Sequence, residues 1–175
     1  MIPILLFSAP SGFGKSHFIS SLIPYFLEKN LKIGFIKHHH ASFYPAGNEK
    51  DTGKMLKAGA QKALLIADDI VIVEEPRMFQ VEAISSFADT YFRGYDLVLV
   101  EGFKENKTLP KVLLIRGKSE RAQRWFETLK SDPNIIALIT DANWSVPYPC
   151  FRPAEKKRFA DYVTQKLGIG GSTER

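Results

Sequence analysis

The feature that most constrains the fold lies at the start of the chain, between Ile2 and Ser16. A short apolar run, Ile2 to Phe7, leads into a turn that carries glycines and ends in Gly14-Lys15-Ser16. Apolar side chains then recur at helical spacing, which predicts that the turn opens a helix. The unbroken apolar run is typical of a strand buried on both faces of a parallel sheet. A strand, a glycine-bearing turn and a helix in this order predict a phosphate-binding loop, where backbone amides converge on an anion.

The residue types in this loop suit contacts with phosphate. Gly12 and Gly14 let the backbone approach phosphate oxygens without a Cβ clash. Lys15 can reach the outer phosphates, and the Ser16 hydroxyl can bind magnesium. The usual pattern has glycine where this chain has Ala9, which is the mildest departure. An ordinary glycine turn is the alternative, but it would leave an unpaired lysine at a helix start, where the helix dipole disfavours positive charge.

The composition fits one globular domain. The chain has 175 residues, of which 45% are hydrophobic and 25% charged, and a chain of this size buries about 70% of its unfolded surface. We predict a single nucleotide-binding domain over residues 1–167 and a disordered tail over 168–175. No apolar stretch approaches the length of a membrane span, and the first strand leaves no room for a targeting segment. We therefore expect no membrane association and residence in the cytoplasm.

The net charge of +5 raises the question of a nucleic-acid partner. The positive residues are spread along the chain, and the densest run, 156–158, lies on a predicted C-terminal helix with an apolar stripe. A solvated helix face explains that run, although a basic surface also suits polyphosphate ligands or an acidic partner. No RNA-binding pattern with interleaved aromatic residues is visible. We expect no nucleic-acid partner.

Strands and helices alternate along the rest of the chain. Strands are predicted at 32–37, 63–67, 70–73, 97–100, 112–115 and 135–139. Helices are predicted at 18–27, 51–58, 81–92, 122–129 and 159–167. In the helix at 51–58, Met55 and Leu56 are expected to face inward. This alternation predicts an α/β fold with a doubly wound, mostly parallel sheet flanked by helices.

A carboxylate follows the predicted strand at 97–100. The apolar run from Asp96 closes on Glu101-Gly102, and motifs of this kind usually end in an aspartate that faces magnesium. Glutamate offers the same hard oxygen ligand and could hold the ion directly or through a water. A surface glutamate at a strand end is the alternative. The phosphate loop favours the first interpretation, with Ser16 and Glu101 as the magnesium ligands.

The second strand delivers Lys37 and three histidines at its carboxyl end, which borders the ligand crevice in a parallel sheet. Because alternate residues of a strand face opposite ways, at most His38 and His40 share a face, and metal binding is disfavoured. Contact of Lys37 and His38 with phosphate or substrate, and ordinary polar loop chemistry, both stay open.

Two positions could read a guanine base. Asn106-Lys107-Thr108 resembles the start of a guanine-reading motif, but it lacks the aspartate and follows the Glu101 strand too closely, so we discount it. Asp141 directly follows the strand at 135–139 and its terminal threonine, where a base-reading carboxylate could stand.

Several of these motifs together resemble one family. They are APSGFGKS, IKHHH, KDTGKMLKAGA, LVLVEGFK, PKVLLIR and IALITD. The chain resembles the MobB family of molybdopterin-guanine dinucleotide biosynthesis adaptor proteins over about residues 2–167. The resemblance implies a P-loop NTPase fold, GTP and Mg²⁺ as ligands, weak GTPase activity and a homodimer. It also implies a partner, the guanylyltransferase MobA, which attaches GMP to molybdopterin; molybdopterin or its guanine dinucleotide could be a further ligand.

The resemblance also assigns residues. Carried over by position, the nucleotide contacts are Ser11, Gly12, Phe13, Gly14, Lys15, Ser16 and His17, with Lys15 in the catalytic role. Further family motifs near the crevice match Lys37, His38, Lys50, Asp51 and Thr52. The chain departs from the family at Ala41, Ala46 and Glu49, which leaves open what that loop binds.

A small-molecule kinase is the competing hypothesis. A kinase needs a positioned acceptor and commonly an arginine-rich lid. Arg116, Arg121 and Arg124 could supply a lid, but Trp125 and Phe126 continue the same helix as core residues, which favours an ordinary amphipathic helix. The sequence offers no obvious glutamine or aspartate to orient an attacking water. We therefore predict slow hydrolysis and an accessory role beside a MobA-like enzyme.

Overall fold

The computed structural model describes residues 1–39, 51–76 and 79–170. Its strands are β1 (Ile4–Ser8), β2 (Ile33–Lys37), β3 (Ala63–Ile66), β4 (Val71–Glu74), β5 (Leu97–Glu101), β6 (Lys111–Ile115), β7 (Ile135–Thr140) and β8 (Cys150–Phe151). Its helices are α1 (Lys15–Leu27), α2 (Asp51–Lys57), α3 (Ile84–Tyr91), α4 (Glu120–Glu127) and α5 (Lys156–Lys166), and a 3₁₀ turn at Val81–Ala83 precedes α3.

Six strands form one sheet in the order β2-β5-β1-β6-β7-β8, and every neighbouring pair in it is parallel. All residues of β1, β5 and β6 are buried, as their continuous apolar runs predict. β5 and β2 lie on one side of β1, and β6, β7 and β8 lie on the other, so the strand order reverses there. In open α/β sheets, ligands bind at such a reversal, outside the carboxyl ends of the strands. The predicted doubly wound α/β fold is confirmed.

Helices cover both faces of this sheet. On one face, α1 and α5 pack over alternate strand residues, and Phe7 lies 6.3 Å from the rings of both Phe18 and Phe159. On the other face, Phe126 of α4 packs with Leu113 and other residues of the opposite strand parity. Each large side chain buried in this way contributes about 1.5–3 kcal/mol, so the packing fixes the ends of β1 and α1.

The chain divides into two compact units. The first comprises residues 1–38 and 81–175, and the second comprises 39–80. Within its described residues, the second unit contains α2 and the antiparallel pair β3–β4. Met55 is exposed, so the prediction that it faces inward is wrong, while Leu56 is half-buried. The buried residue of this short helix is Gly53. One domain over 1–167 and a tail over 168–175 stay predictions, and residues 171–175 lie outside the described part.

Within the part of the chain that the structure describes, no helix has the length and apolar character needed to cross a bilayer.

Candidate functional site

The turn between β1 and α1 is shaped by two glycines. Gly12 and Gly14 have φ angles of 83° and 77°, a region that side chains with a Cβ rarely adopt. Gly14 is the N-cap of α1, no side chain caps this end, and the first turn contains no acidic residue. The orphan amides and the positive end of the helix dipole therefore lie at the turn, where they favour an anion.

Glu101 closes the other side of this site. It ends β5, pairs in register with Phe7 of β1, and is only 7% exposed. The Ser16 hydroxyl donates to Glu101 Oε2 at 2.7 Å. The Nζ atoms of Lys15 and Lys37 stand 3.7 and 3.6 Å from Glu101 Oε1. The structure thus brings together the residues that the sequence analysis assigned to phosphate and magnesium.

This cluster has the chemistry for a phosphate and a divalent cation. Ser16 and Glu101 offer two hard oxygen ligands side by side, which suits Mg²⁺. Among the described residues, no group of three or more His, Cys, Asp or Glu side chains could hold a metal. An ion at this position would therefore also need oxygens from phosphate or water.

The end of β2 forms a tight corner against the end of β5. The His38 amide donates to the Glu101 carbonyl at 2.9 Å, and the His38 ring stacks on Phe103 with 4.1 Å between centroids. Gly102 has φ 111°, and a Cβ there would stand 3.0 Å from the His38 Cβ. Buried Phe103 has φ 50°, which is uncommon for a side chain of this size. His38 is therefore held beside the Glu101 cluster by packing.

Asp141 lies one residue beyond β7, at the carboxyl edge of the sheet. Its Oδ1 accepts the amide of Gly117 at 2.6 Å, so it fixes the turn that follows β6. The predicted role in reading a base is compatible with this position. Asn106 has a structural role instead, because it is buried and its Oδ1 accepts the amides of Thr108 and Leu109 at 3.0 and 2.9 Å.

Two arginines reach the phosphate loop. The sequence analysis named both as possible lid residues but favoured an ordinary amphipathic helix, so it did not predict their contacts with the loop. Arg121, at the start of α4, donates to the Ser11 carbonyl at 3.1 Å. Nη2 of Arg116 stands 3.8 Å from the place where a Cβ on Gly14 would lie. The strand order, which places β6 beside β1, brings both to the loop. The motif alone carried no signal for them.

The other predicted residues belong to α1 or to the second unit, or lie outside the described residues. His17 lies in the first turn of α1 and is exposed. Asp51 begins α2 and Thr52 follows it, both in the second unit. His40, Lys50 and the departures from the family at Ala41, Ala46 and Glu49 lie outside the described residues.

Comparisons with known proteins agree with these observations. The model of the family "MobB: Molybdopterin guanine dinucleotide synthesis protein B" matches residues 4–141. The chain is 30% identical over 169 residues to the molybdopterin-guanine dinucleotide biosynthesis adapter protein of Escherichia coli (strain K12), covering 94% of this chain and 93% of that one. The crystal structure of Bacillus subtilis MobB is similar with a TM-score of 0.72 and 23% identity, covering 99% of this chain and 100% of that one. A MobB homologue from Bacillus stearothermophilus gives a TM-score of 0.68 and 20% identity, covering 94% and 97% of the two chains. The two structures share the fold, and the sequence matches show that this chain belongs to the MobB family.

Proposed function

We propose that this protein binds GTP with Mg²⁺ and acts as an adaptor in the biosynthesis of molybdopterin guanine dinucleotide, assisting a MobA-like guanylyltransferase. The P-loop NTPase fold implies a nucleotide ligand, and the relative in Escherichia coli is a biosynthesis adapter protein. The observation that carries the proposal is the convergence of Lys15, Ser16 and Glu101 at the start of α1.

Each residue of the cluster has a task in binding. The loop amides and the start of α1 hold the phosphates. Lys15 exchanges its loose ion pair with Glu101 for a shorter, charge-assisted contact with phosphate. Ser16 and Glu101 would hold Mg²⁺, which would neutralise part of the phosphate charge. Asp141 stands at the sheet edge as the candidate contact for the guanine base.

Slow hydrolysis follows from the way in which Glu101 is used. Its carboxylate accepts a hydrogen bond from Ser16 and faces two lysines. Its oxygens are therefore occupied by these contacts, and by the metal when it binds, and are not available to accept a proton from water. General-base catalysis requires a group within hydrogen-bond reach of the attacking water and free to accept its proton. We expect turnover far below the usual enzyme range of about 1 to 1000 per second.

Calorimetry with GTP and ATP, each with Mg²⁺ and with a chelator, tests ligand, base and metal together. The expected result is tighter binding of GTP than of ATP, weakened by removing Mg²⁺. Asp141→Asn should narrow the preference for GTP. Asp161→Asn is the charge-matched control, because Asp161 lies on α5 and pairs with Lys29 and Lys157 on the surface. Equal binding of both nucleotides would remove the guanine assignment. In a separate assay of the nucleotide's terminal phosphate, rapid transfer to a small molecule would favour the competing hypothesis of a small-molecule kinase.

The adaptor role is tested by capture of a partner. The tagged protein should retain a guanylyltransferase from an extract of its source cell, and GTP should change the recovered amount. Lys15→Ala provides a matched sample with an impaired nucleotide site. Failure to retain such an enzyme in either nucleotide state would contradict the adaptor proposal.

A homodimer is proposed from the surface of the second unit. The hairpin of β3 and β4 exposes Leu64, Leu65 and Ile66 in succession, with Ile66 75% exposed. Because successive strand residues face opposite ways, apolar side chains emerge on both faces of the hairpin. A two-stranded sheet is marginally stable alone, and an exposed apolar edge tends to pair with another chain. A second copy carries the same apolar hairpin and is the occupant that we propose.

Light scattering on a size-exclusion column measures the oligomeric state directly. The protein should elute as a dimer, and Ile66→Asp should convert it to a monomer because a carboxylate cannot be buried in an apolar interface. Leu27→Asp, at another exposed apolar position, is the matched control and should stay dimeric. A dimer that survives Ile66→Asp would place the interface elsewhere.

A further inference from the structure

Arg121 makes two contacts with the phosphate loop that have no role in the nucleotide binding proposed above. Its Nη2 donates to the Ser11 carbonyl at 3.1 Å. The same guanidinium lies over the ring of Phe13, with its carbon 5.8 Å from the centroid. One turn along α4, Arg124 pairs with Glu120 at 2.6 Å on the exposed surface. The two arginines share a helix, but one contacts the loop and the other does not.

The loop begins with a turn whose central peptide joins Ser11 to Gly12. The Phe13 amide donates to the Pro10 carbonyl at 3.4 Å, and Gly12 has φ 83°. A positive φ at the third residue is the signature of a type II turn. A type I turn connects the same end residues with the central peptide turned over. Because glycine tolerates both conformations, the residue types alone do not choose between them.

Arg121 makes that choice. In a trans peptide, the carbonyl and the following N–H point in opposite directions. The guanidinium holds the Ser11 carbonyl on its own side, so the Gly12 N–H points away from α4. A phosphate loop works only when its amides point toward the anion. We propose that Arg121 is a positioning residue, which fixes the Ser11–Gly12 peptide so that the Gly12 N–H is presented to phosphate.

This inference rests on the proposed nucleotide site, and two readouts separate them. The first is the amide resonance of Gly12 in ligand-free protein labelled with ¹⁵N. The second is the affinity for GDP with Mg²⁺, measured by calorimetry. Arg121→Ala, Arg121→Lys and the control Arg124→Ala are compared with the unmodified chain.

Arg121→Ala should shift the Gly12 amide resonance and weaken GDP binding about tenfold, as expected for loss of one charge-assisted hydrogen bond. Arg121→Lys should recover part of both effects, because an ammonium can still donate to the carbonyl. Arg124→Ala should match the unmodified chain in both. The inference is overturned if Arg121→Ala leaves the resonance unchanged, or if Arg124→Ala weakens binding equally through charge alone. If the unmodified protein binds no guanine nucleotide, the proposed function fails, and the amide resonance still decides the role of Arg121.

Discussion

Two clusters in the first unit place a lysine ammonium against a carboxylate, and they are built differently. Glu101 and Asp132 have equally covered side chains, each 9% exposed. The lysines facing Glu101 stand 3.6–3.7 Å away, beyond hydrogen-bond length, and Lys15 and Lys37 are 16% and 54% exposed. Lys111 has no exposed side-chain surface, and its Nζ donates directly to Asp132. The carboxylates are alike, and the ammonium groups make the difference.

The buried cluster is complete. An ammonium has three donors, and Lys111 directs its Nζ to Asp132, to the Lys104 carbonyl at 3.0 Å and to the Asn106 carbonyl at 2.8 Å. These carbonyls belong to residues 102–110, which connect β5 to β6 without a helix. Parallel strands are usually joined through a longer, helical crossover. The cluster therefore replaces a missing helix as the anchor of this connection.

The phosphate-loop cluster is loose, and this looseness suits a site that exchanges partners. A pair beyond hydrogen-bond distance and partly open to solvent stabilises a fold little. The same lysine gains more from a phosphate, because the contact is shorter and charge-assisted. The comparison predicts that changes in the buried cluster affect stability, whereas changes in the loose cluster affect ligand binding.

The largest effect is expected from Asp132→Asn. The substitution leaves Lys111 buried without a counter-ion, and breaking a buried pair in this way costs about 3–5 kcal/mol. Urea unfolding of ligand-free protein measures the loss. Asp161→Asn is the control, because Asp161 pairs with Lys29 and Lys157 on the surface and should change little. A loss no larger than that of the control would mean that Lys111 does not depend on Asp132.

The strand containing Lys111 also shows where sequence reasoning stops. The apolar run predicted a strand starting at residue 112, because a lysine is normally exposed at a strand end. Its burial depends on Asp132, 21 residues later, which no local pattern reveals. β8, at Cys150–Phe151, was missed because two residues carry no periodicity. The long apolar runs of β1 and β5 were predicted to within one or two residues, because burial on both faces leaves a strong signal.

For the candidate site, chemistry predicted more than periodicity did. Ser16 and Glu101 are 85 residues apart, yet each follows from a motif with a defined place at the carboxyl edge of a sheet. Arg121 follows from no motif, since its contact with the loop requires the order of β1 and β6 and the first turn of α4. Residues defined by their own motif were predicted, and residues defined by neighbouring strands were not.

The next largest effect is expected from Lys15→Ala, which reverses the pattern of Asp132→Asn. Ligand-free stability should hardly change, because the pair with Glu101 is loose. GTP at 100 times its Kd should stabilise the unmodified protein by about 2.7 kcal/mol, and the variant should gain almost none at the same concentration. Thermal unfolding with and without GTP measures both quantities. Equal protection of the two proteins would remove Lys15 from the site.

Glu101→Gln should have a smaller and more selective effect. The loop amides and Lys15 remain, so nucleotide binding in chelator should persist, whereas apparent Mg²⁺ affinity should fall about tenfold with loss of an anionic ligand. Magnesium titrations of the GTP complex measure this, with Glu105→Gln on the exposed loop as the control. Overlapping titration curves would make Glu101 a strand-end residue that only balances the charge of its lysines.

The smallest effect is expected in the pH dependence of the buried cluster. Burial raises the pKa of the Asp132 carboxyl, but hydrogen bonds from Lys111 and the Asn134 amide, together with the Lys111 charge, outweigh it and hold the pKa below its ordinary value. A carboxylate with a lowered folded pKa stabilises the fold above its unfolded pKa of about 3.9, and this contribution is lost as pH falls through the folded value. The stability difference between the unmodified chain and Asp132→Asn should therefore be constant near neutral pH and should narrow below about pH 4. Urea midpoints measured across this range test the sign, and a difference that widens toward acid pH would show that the pair does not favour the ionised carboxylate.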